Sequence, residues 1–293
     1  MVNPLVSDVM SRARNTQTSY LGTLAYITAW PDKRAWQASP IDLRYFNGAL
    51  NQANRAAYLL EEFSLKEKNI TSRRMNQILQ SRGITGVLVA PLPPSRLRWH
   101  VSLEWPSFSS ITIGYSVWRP TLNRVASHYS NNLTVAMHQL RHLGYSRVGL
   151  ALPKGTDERV DHNLLASFRI IQERMKRLGS ISPLVFDQNG YDEFKGWFSK
   201  YSPDVVMSFG GPALQWLHDL GVRIPEQTGF VELDLSEANG AVAGIDQCPE
   251  AVSEAAVDLL ISQLYRNERG LPTLPKLMLI EGRWIEGKTL PPK

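Results

Sequence analysis

Short, continuously apolar segments alternate with amphipathic segments along most of the chain, and this alternation limits the fold more than any other feature of the sequence. Early examples are LGTLAYI at 21–27 and GVLVA at 86–90, and RVGLAL at 147–152 repeats the pattern in the second half. Strands with uninterrupted apolar runs belong to parallel sheets that helices cover on both faces. The alternation therefore predicts an α/β protein built from parallel sheets.

The segments between the strands carry clear helix signals. Ser39 precedes Pro40 at the start of the first helix, where a hydroxyl cap and an early proline are both favoured. Thr71 is the predicted cap of a second helix, and Gly83 is its predicted end. Further strands are predicted at 111–115, 183–186, 204–209, 229–233 and 276–280, and long helices at 130–143 and 249–265.

One sheet rarely holds this many elements, so the sequence predicts two Rossmann-like lobes. A length of 293 residues also agrees with about two domains of 100–150 residues each. Ligands of parallel α/β sheets bind beyond the carboxyl ends of the strands, and between two lobes those ends face one cleft. We therefore expect a ligand cleft between the lobes.

The composition of the chain indicates the cellular compartment in which it is expected. The only cysteine is Cys248, so the chain forms no internal disulfide and fits a reducing compartment. No apolar stretch approaches the ~18–20 residues of a membrane span, and the first residues lack the apolar core of a signal peptide. The net charge of +5 is spread along the chain and is weak support for an anionic partner. We expect a cytoplasmic protein without a membrane partner.

Some sequence patterns match motifs of enzymes or metal sites, but the residues around them do not support that interpretation. GRWIEGKT at 282–289 matches a phosphate-binding loop letter for letter, but LPP follows the threonine, so no helix can start there. His138 and His142 lie one helical turn apart without a carboxylate partner, which favours a solvated helix face. No nucleophile elbow or dinucleotide-binding glycine motif is present. We expect no enzymatic activity, no cofactor and no metal.

Two positions at predicted strand ends are candidates for ligand contact. Trp30 follows the first strand, where its ring could stack on a sugar or simply pack against the protein. Gly210 and Gly211 follow the strand at 204–209, where they could let a ligand approach the backbone or form a turn. The residues alone leave both alternatives open.

Several segments, taken in order, resemble motifs of LacI/GalR-type transcription repressors. They are NPLVSDVM at 3–10, ITGVLVAP at 84–91, HLGYSRVGLAL at 142–152, PDVVMSF at 203–209, GVRIPEQTGFVELD at 221–234 and GIDQCPEAVSEAAVDLL at 244–260. The fifth, for example, is similar to the family's "G-l-r-V-P-e-d-i-s-v-v-g-f-D". The resemblance spans nearly the whole chain, and it implies the effector-binding core of such a regulator with the periplasmic-binding-protein-like type I fold.

The resemblance also implies a division of the chain. A hinge-helix remnant or linker is expected at 1–17. The first lobe is expected to comprise 18–123 and about 248–275, and the second lobe 124–247 and about 276–293. The family's DNA-reading helix-turn-helix of about 50 residues does not precede this hinge, so we expect the chain to be the core of a longer regulator.

Three site residues follow from matching positions. Arg159 occupies the place of the family's arginine that holds effector hydroxyls, and Asp234 occupies the place of the cleft aspartate. Gln247 occupies the place of the glutamine at a crossing between the lobes. Aspartate accepts from two hydroxyls and arginine donates in a fork, which suits a sugar. The alternative is that Asp234 caps a helical turn and that Arg159 is a solvated residue at a helix start.

Other positions depart from the family pattern. Ala90 replaces a polar cleft residue, Gly210-Gly211 replaces Asn-Asp, and His128 stands where an aspartate is expected after Val125. We include His128 and Gly210 among the candidate effector contacts. The effector of a known family member cannot be transferred to a site with these changes, and a ligand larger or less polar than a simple monosaccharide is compatible with them.

The hinge resemblance carries an expectation about DNA. Val9 occupies the position of the leucine that wedges between base steps in the minor groove, and Met10 lies beside it. In a full-length homodimer, effector binding would close the lobes, reorient the two hinges and change operator affinity. The sequence therefore predicts the sensing core of a DNA-binding regulator for a small carbohydrate or derivative. The alternative is a solute-binding protein of a sugar transport system.

Overall fold

The structure is a computed structural model that describes residues 20–32, 35–67, 70–93, 99–175, 180–187 and 189–293. The predicted hinge, with Val9 and Met10, lies outside these residues, so its contact with DNA stays a prediction. Within the described ranges, every helix falls short of the length and apolar character that a membrane span requires.

The described residues form fourteen strands. They are β1 (Gly22–Thr28), β2 (Tyr58–Ser64), β3 (Gly86–Val89), β4 (Trp99–His100), β5 (Ser109–Ile113), β6 (Val117–Arg119), β7 (Asn123–Ser127), β8 (Val148–Pro153), β9 (Leu184–Phe186), β10 (Val205–Ser208), β11 (Gly229–Glu232), β12 (Ala243–Asp246), β13 (Leu277–Ile280) and β14 (Arg283–Ile285). Short β4 and β6 pair only with each other, and the other strands form two six-stranded sheets.

Eight α-helices alternate with these strands in the described ranges. They are α1 (Pro40–Arg55), α2 (Ser72–Ser81), α3 (Tyr129–His142), α4 (Thr156–Arg159), α5 (Asn163–Arg174), α6 (Tyr191–Tyr201), α7 (Ala213–Asp219) and α8 (Pro249–Tyr265). The predicted starts are confirmed, because Ser39 accepts from the Asp42 N–H at 3.4 Å and Thr71 accepts from the Arg74 N–H at 3.1 Å.

The first sheet is wholly parallel, with strand order β13-β7-β5-β3-β1-β2. Leu24 and Tyr26 of β1 pack toward α1 and α8, whereas Ala25 and Ile27 pack toward α2. Successive side chains of a strand point to opposite faces, and here both faces are covered. This coverage explains why the strand sequence is apolar at consecutive positions.

Helices α1 and α8 approach each other closely at Gly48. A Cβ atom at this position would lie 2.4 Å from the Ser253 Oγ and 2.5 Å from the Glu250 carbonyl oxygen. Glycine is therefore required by the close approach of the two helices. The contact joins the first helix of the lobe to the helix that returns to it late in the chain.

The second sheet has the order β14-β12-β11-β10-β8-β9, and only β14 runs antiparallel to its neighbour. Leu150 and Leu152 pack on the face covered by α3 and α5, and Ala151 packs on the face covered by α6 and α7. Two tryptophans, Trp197 and Trp216, fill that second face. The predicted α/β class with two lobes is confirmed.

The chain passes between the sheets at three places: after β7, after β12 and after β13. Strand pairing puts residues 124–127 and 277–280 in the first sheet, although the predicted division gave 124–247 and 276–293 to the second lobe. The lobe boundaries stay a prediction, and this pairing favours a first crossing near 128 and a third near 281. A strand that ends at a crossing carries the same apolar pattern as strands of either lobe, so the sequence does not fix the boundary.

Side-chain amides hold the three crossings together. The Gln247 side chain, next to the second crossing, donates to the Leu233 carbonyl at 2.5 Å and accepts from the Asn132 amide at 2.6 Å. The Asn132 oxygen in turn accepts from the Gly282 N–H at the third crossing, at 2.9 Å. The Ser127 hydroxyl at the first crossing donates to the Gln247 carbonyl at 3.1 Å.

A buried carboxylate reinforces the same region. Asp246 has a side chain with no solvent exposure, and it accepts from Arg44 of α1 and from Arg283 of β14, each at 2.8 Å. Burial pushes the pKa of Asp246 upward. Hydrogen bonds from Arg283, from the Cys248 N–H and from Arg44 outweigh burial and leave the pKa below its ordinary value.

We predict that Asp246→Ala lowers the free energy of unfolding by about 3 kcal/mol, because it removes one partner of a buried ion pair. Urea unfolding at neutral pH measures the change. Glu268→Gln is the control: Glu268 pairs with Arg266 at the surface, so its loss should leave stability unchanged within error. Equal effects of the two substitutions would contradict a special role for Asp246.

Candidate functional site

A cavity of about 550 Å³ lies between the two lobes. It is lined by residues that directly follow strands of both sheets, such as Trp30 after β1, Leu92 after β3, Gly210 after β10 and Asp234 after β11. The first turn of α1 completes the wall. The cavity therefore occupies the position that the parallel architecture predicts for a ligand.

Four of the six predicted effector residues line this cavity: Trp30, Arg159, Gly210 and Asp234. Their contact with an effector stays a prediction. Gly210 has a φ of +67°, so the glycine pair also forms a turn that other residues rarely adopt. The turn is therefore confirmed, and the close approach of a ligand at this glycine stays a prediction.

The other two predicted residues, His128 and Gln247, are not among the lining residues. His128 precedes α3, and its backbone N–H donates to the Ile280 carbonyl at 2.8 Å. Both ends of the Gln247 amide are bonded within the protein, as described above. The geometry therefore gives these residues contacts at the crossings, and an effector contact by either stays a prediction.

Arg159 connects the two lobes across the cavity. It lies on α4 in the second lobe, and its guanidinium donates to the carbonyls of Leu92, at 2.7 Å, and Pro93, at 3.2 Å, which follow a strand of the first lobe. Burial lowers its pKa below the ordinary value for arginine, although Tyr129 and Asp42 partly oppose this shift. Arg159 is therefore an interlobe contact in this structure.

Asp234 and Asp42 face the cavity from opposite lobes. Asp234 follows β11, and burial, together with the negative charge of Asp42, raises its pKa to about 7. Asp42 lies in the first turn of α1, and burial raises its pKa to about 6. Asp42 was not predicted from the sequence as a site residue. Its place after β1 and at the first turn of the next helix was the signal for a cavity position.

Glu232 was not predicted from the sequence. It ends β11, and its carboxylate accepts from the Gly210 N–H at 2.8 Å and from the Asp234 N–H at 3.1 Å, just beneath the cavity wall. Burial is the largest cause of its pKa of about 8. A charged residue in the apolar segment GFVEL, where the resembled motif has glycine, was the available signal.

Glu232 and the glycine pair form one local arrangement. Ser208 of β10 pairs in register with Glu232 of β11, so the glutamate lies beside the turn at Gly210. In the resembled motif this turn carries Asn-Asp, whereas here a carboxyl group reaches it from the neighbouring strand. Glu232 therefore bonds the turn at Gly210 from the neighbouring strand.

Aromatic rings form much of the remaining wall. Tyr129 stands between Tyr115 and Phe209, with ring centroids 6.3 Å and 5.7 Å away. Trp30 and Phe186 also line the cavity. Such a wall suits the apolar face of a ring-shaped ligand, while the carboxyl groups provide polar contacts.

The residues with possible catalytic or metal motifs lie elsewhere. Thr289, the last residue of the phosphate-loop match, donates from its hydroxyl to the Phe230 carbonyl at 2.8 Å, and the residues after it form no helix. His138 is exposed on α3. The described part of the chain contains no cluster of three or more side chains suited to a metal ion.

Solved structures with a similar fold include transcription regulators of the LacI family. The regulator CelR in complex with cellobiose has a TM-score of 0.68 and 14% identity over 99% of this chain and 92% of that chain. A LacI-family regulator from Rhizobium etli has a TM-score of 0.68 and 16% identity over 92% and 99%. The lac repressor dimer bound to operator and the anti-inducer ONPF has a TM-score of 0.64 and 12% identity over 99% of both chains.

At the level of sequence, no family model and no curated protein matches the chain. The structural similarity is high over almost the full length, although identity is low. It establishes the fold, and the fold class implied by the motifs is confirmed.

Glu232 yields a prediction for the pH dependence of stability. Its pKa is higher in the folded protein than in an unfolded chain, so the folded state binds the extra proton and stability falls as pH rises from about 4.5 toward 8. Glutamine keeps the acceptor for Gly210 and does not ionise. We expect Glu232→Gln to raise the free energy of unfolding by about 2 kcal/mol near pH 8 and far less near pH 5.

Urea unfolding at both pH values measures this effect. Glu193→Gln is the matched control, since Glu193 is an exposed carboxylate on α6 of the same lobe. An identical pH profile for the two variants would show that Glu232 ionises normally.

Proposed function

We propose that this chain is the effector-sensing core of a LacI-type transcription regulator. The observation that carries the proposal is the interlobe cavity, whose lining comes from both lobes at the carboxyl ends of their strands. A ligand held there contacts both lobes at once, so its binding energy favours one relative orientation of the lobes.

The interlobe contacts suggest how a ligand would act. Arg159 holds two carbonyls of the first lobe, while Asp42 and Asp234 face the cavity from opposite lobes with like charge. A ligand that bonds both carboxyl groups would connect the two lobes and favour closure. In a homodimer, closure would change the angle between the two hinge segments and hence the affinity for operator DNA.

We further propose a small sugar-like effector, a cytoplasmic setting and no catalytic activity. Solved structures of similar fold are named as transcription regulators, and one is a complex with cellobiose. The aromatic wall and the paired acids of this cavity agree with a ring that carries hydrogen-bond donors. A sugar-binding transport receptor would share the cavity but would be a monomer in sedimentation experiments, whereas we expect a dimer.

A thermal-shift screen of sugars and sugar derivatives tests the proposal. At a concentration of about 100 times its Kd, a specific ligand stabilises the folded state by about 2.7 kcal/mol, which shifts the unfolding midpoint by several degrees. We expect Asp234→Ala to weaken binding of that ligand by about tenfold or more, because its carboxylate accepts ligand hydroxyls. Small-angle scattering should show a smaller radius of gyration with ligand.

The control is again Glu193→Gln, which should bind the ligand with unchanged affinity. Ligand binding that survives both Asp234→Ala and Trp30→Ala would place the site elsewhere. Binding in the cavity without any change in scattering would contradict lobe closure as the signal.

A further inference from the structure

We infer that the ligand of the interlobe cavity carries a protonated amine in addition to its ring, so that an amino sugar fits better than an uncharged sugar. This inference rests on the proposed function, in which the cavity is the effector site. It follows from the charges that surround the cavity, the partners of the nearby cations and the nature of the walls.

The acidic groups come from both lobes. Asp42 reaches the cavity from α1 and Asp234 from the end of β11, while Glu232 lies directly behind Gly210 and Asp234. Burial is the largest cause of the raised pKa values of Asp234 and Glu232, and the charge of Asp42 adds to the first shift and that of Asp234 to the second. The three carboxyl groups therefore interact, and ionising all of them in the ligand-free protein is unfavourable.

The nearby cations are engaged with other partners. Arg159 is the only Lys or Arg among the described residues that line the cavity, and its guanidinium donates to the carbonyls of Leu92 and Pro93. Arg44 is held by Asp246 and by both oxygens of Glu250. Within the described ranges, none of the three acids forms an ion pair with a protein cation.

The aromatic wall favours the same charge. Tyr129 and Phe209 lie in contact, and Trp30 also lines the cavity, whereas the Tyr115 ring already lies against the Arg124 guanidinium, 5.2 Å from the ring centroid. Ring faces attract ammonium groups, and the attraction increases when water is excluded. A negatively charged ligand would meet both the carboxylates and the ring faces, so the site discriminates against it.

An uncharged sugar satisfies only part of this arrangement. Its hydroxyls can donate to Asp42 and Asp234, but the negative charge of these two largely buried acids remains without a cation partner in the described part of the chain. An ammonium group between the lobes donates up to three hydrogen bonds and compensates that charge. It would also join the first lobe to the second through Asp42 and Asp234.

Titration calorimetry with matched compounds tests whether the cavity prefers a ligand that carries an amine. The probes are D-glucosamine, D-galactosamine and D-mannosamine, each compared with its parent hexose and its N-acetyl derivative at neutral pH and physiological salt. We expect at least one amine to bind about tenfold or more tightly than both uncharged partners. In Asp42→Asn/Asp234→Asn this preference should disappear, whereas Glu193→Gln should keep it.

The double variant also has a readout without ligand. Because it removes two interacting acids from the cavity, its ligand-free unfolding midpoint should rise, and a rise together with loss of amine preference supports the inference. A fall in the midpoint would overturn the claim that these acids repel. If the uncharged sugars bind more tightly than the amino sugars, the inference that the ligand carries an amine is overturned, and the proposed function is left intact. Failure of every compound, including the wider sugar screen, would overturn both.

Discussion

The three crossings between the lobes are held by one connected set of buried polar contacts, and the position of the cavity depends on it. Gln247 and Asn132 join the crossings through their amides, and Asp246 joins α1 to β14 through Arg44 and Arg283. Buried polar groups of this kind are costly to leave unpaired, so the contacts persist together. In the proposed function, they fix the end of the molecule about which the lobes would move.

The cavity lies where polar groups are much less completely paired. Around the crossings, carboxylates have arginine partners and amides are bonded at both ends. Around the cavity, Asp42, Asp234 and Glu232 have raised pKa values because burial outweighs the opposing effects, which include the positive charge of Arg159 on Asp42 and of Arg44 on Asp234. This contrast agrees with the proposed function, in which the crossings act as a rigid pivot and a ligand stabilises the cavity by supplying charge and hydrogen bonds.

Much of the fold and part of the site could be predicted from residues alone. Ser39, Thr71 and the apolar strands identified the elements, because caps and burial on both sheet faces act locally. Trp30, Arg159, Gly210 and Asp234 were predicted, and all four line the cavity. Glu232 was missed because its partner, the Gly210 N–H, lies on a neighbouring strand's turn. The sequence alone does not show that this turn lies beside the glutamate.

The sequence by itself determined the two parallel sheets, the helix starts and the presence of a cleft at the strand ends. These features depend on periodicity, capping and backbone geometry over a few neighbouring residues. Such local patterns can be recognised in the amino-acid sequence alone. Tertiary structure alone decided which sheet holds β7 and β13, that Gln247 contacts the crossings rather than lining the cavity, and that Asp42 and Asp234 line the same cavity from different lobes. Those outcomes depend on contacts between segments that are far apart in the sequence. The charge around the cavity likewise depends on which of these segments come together.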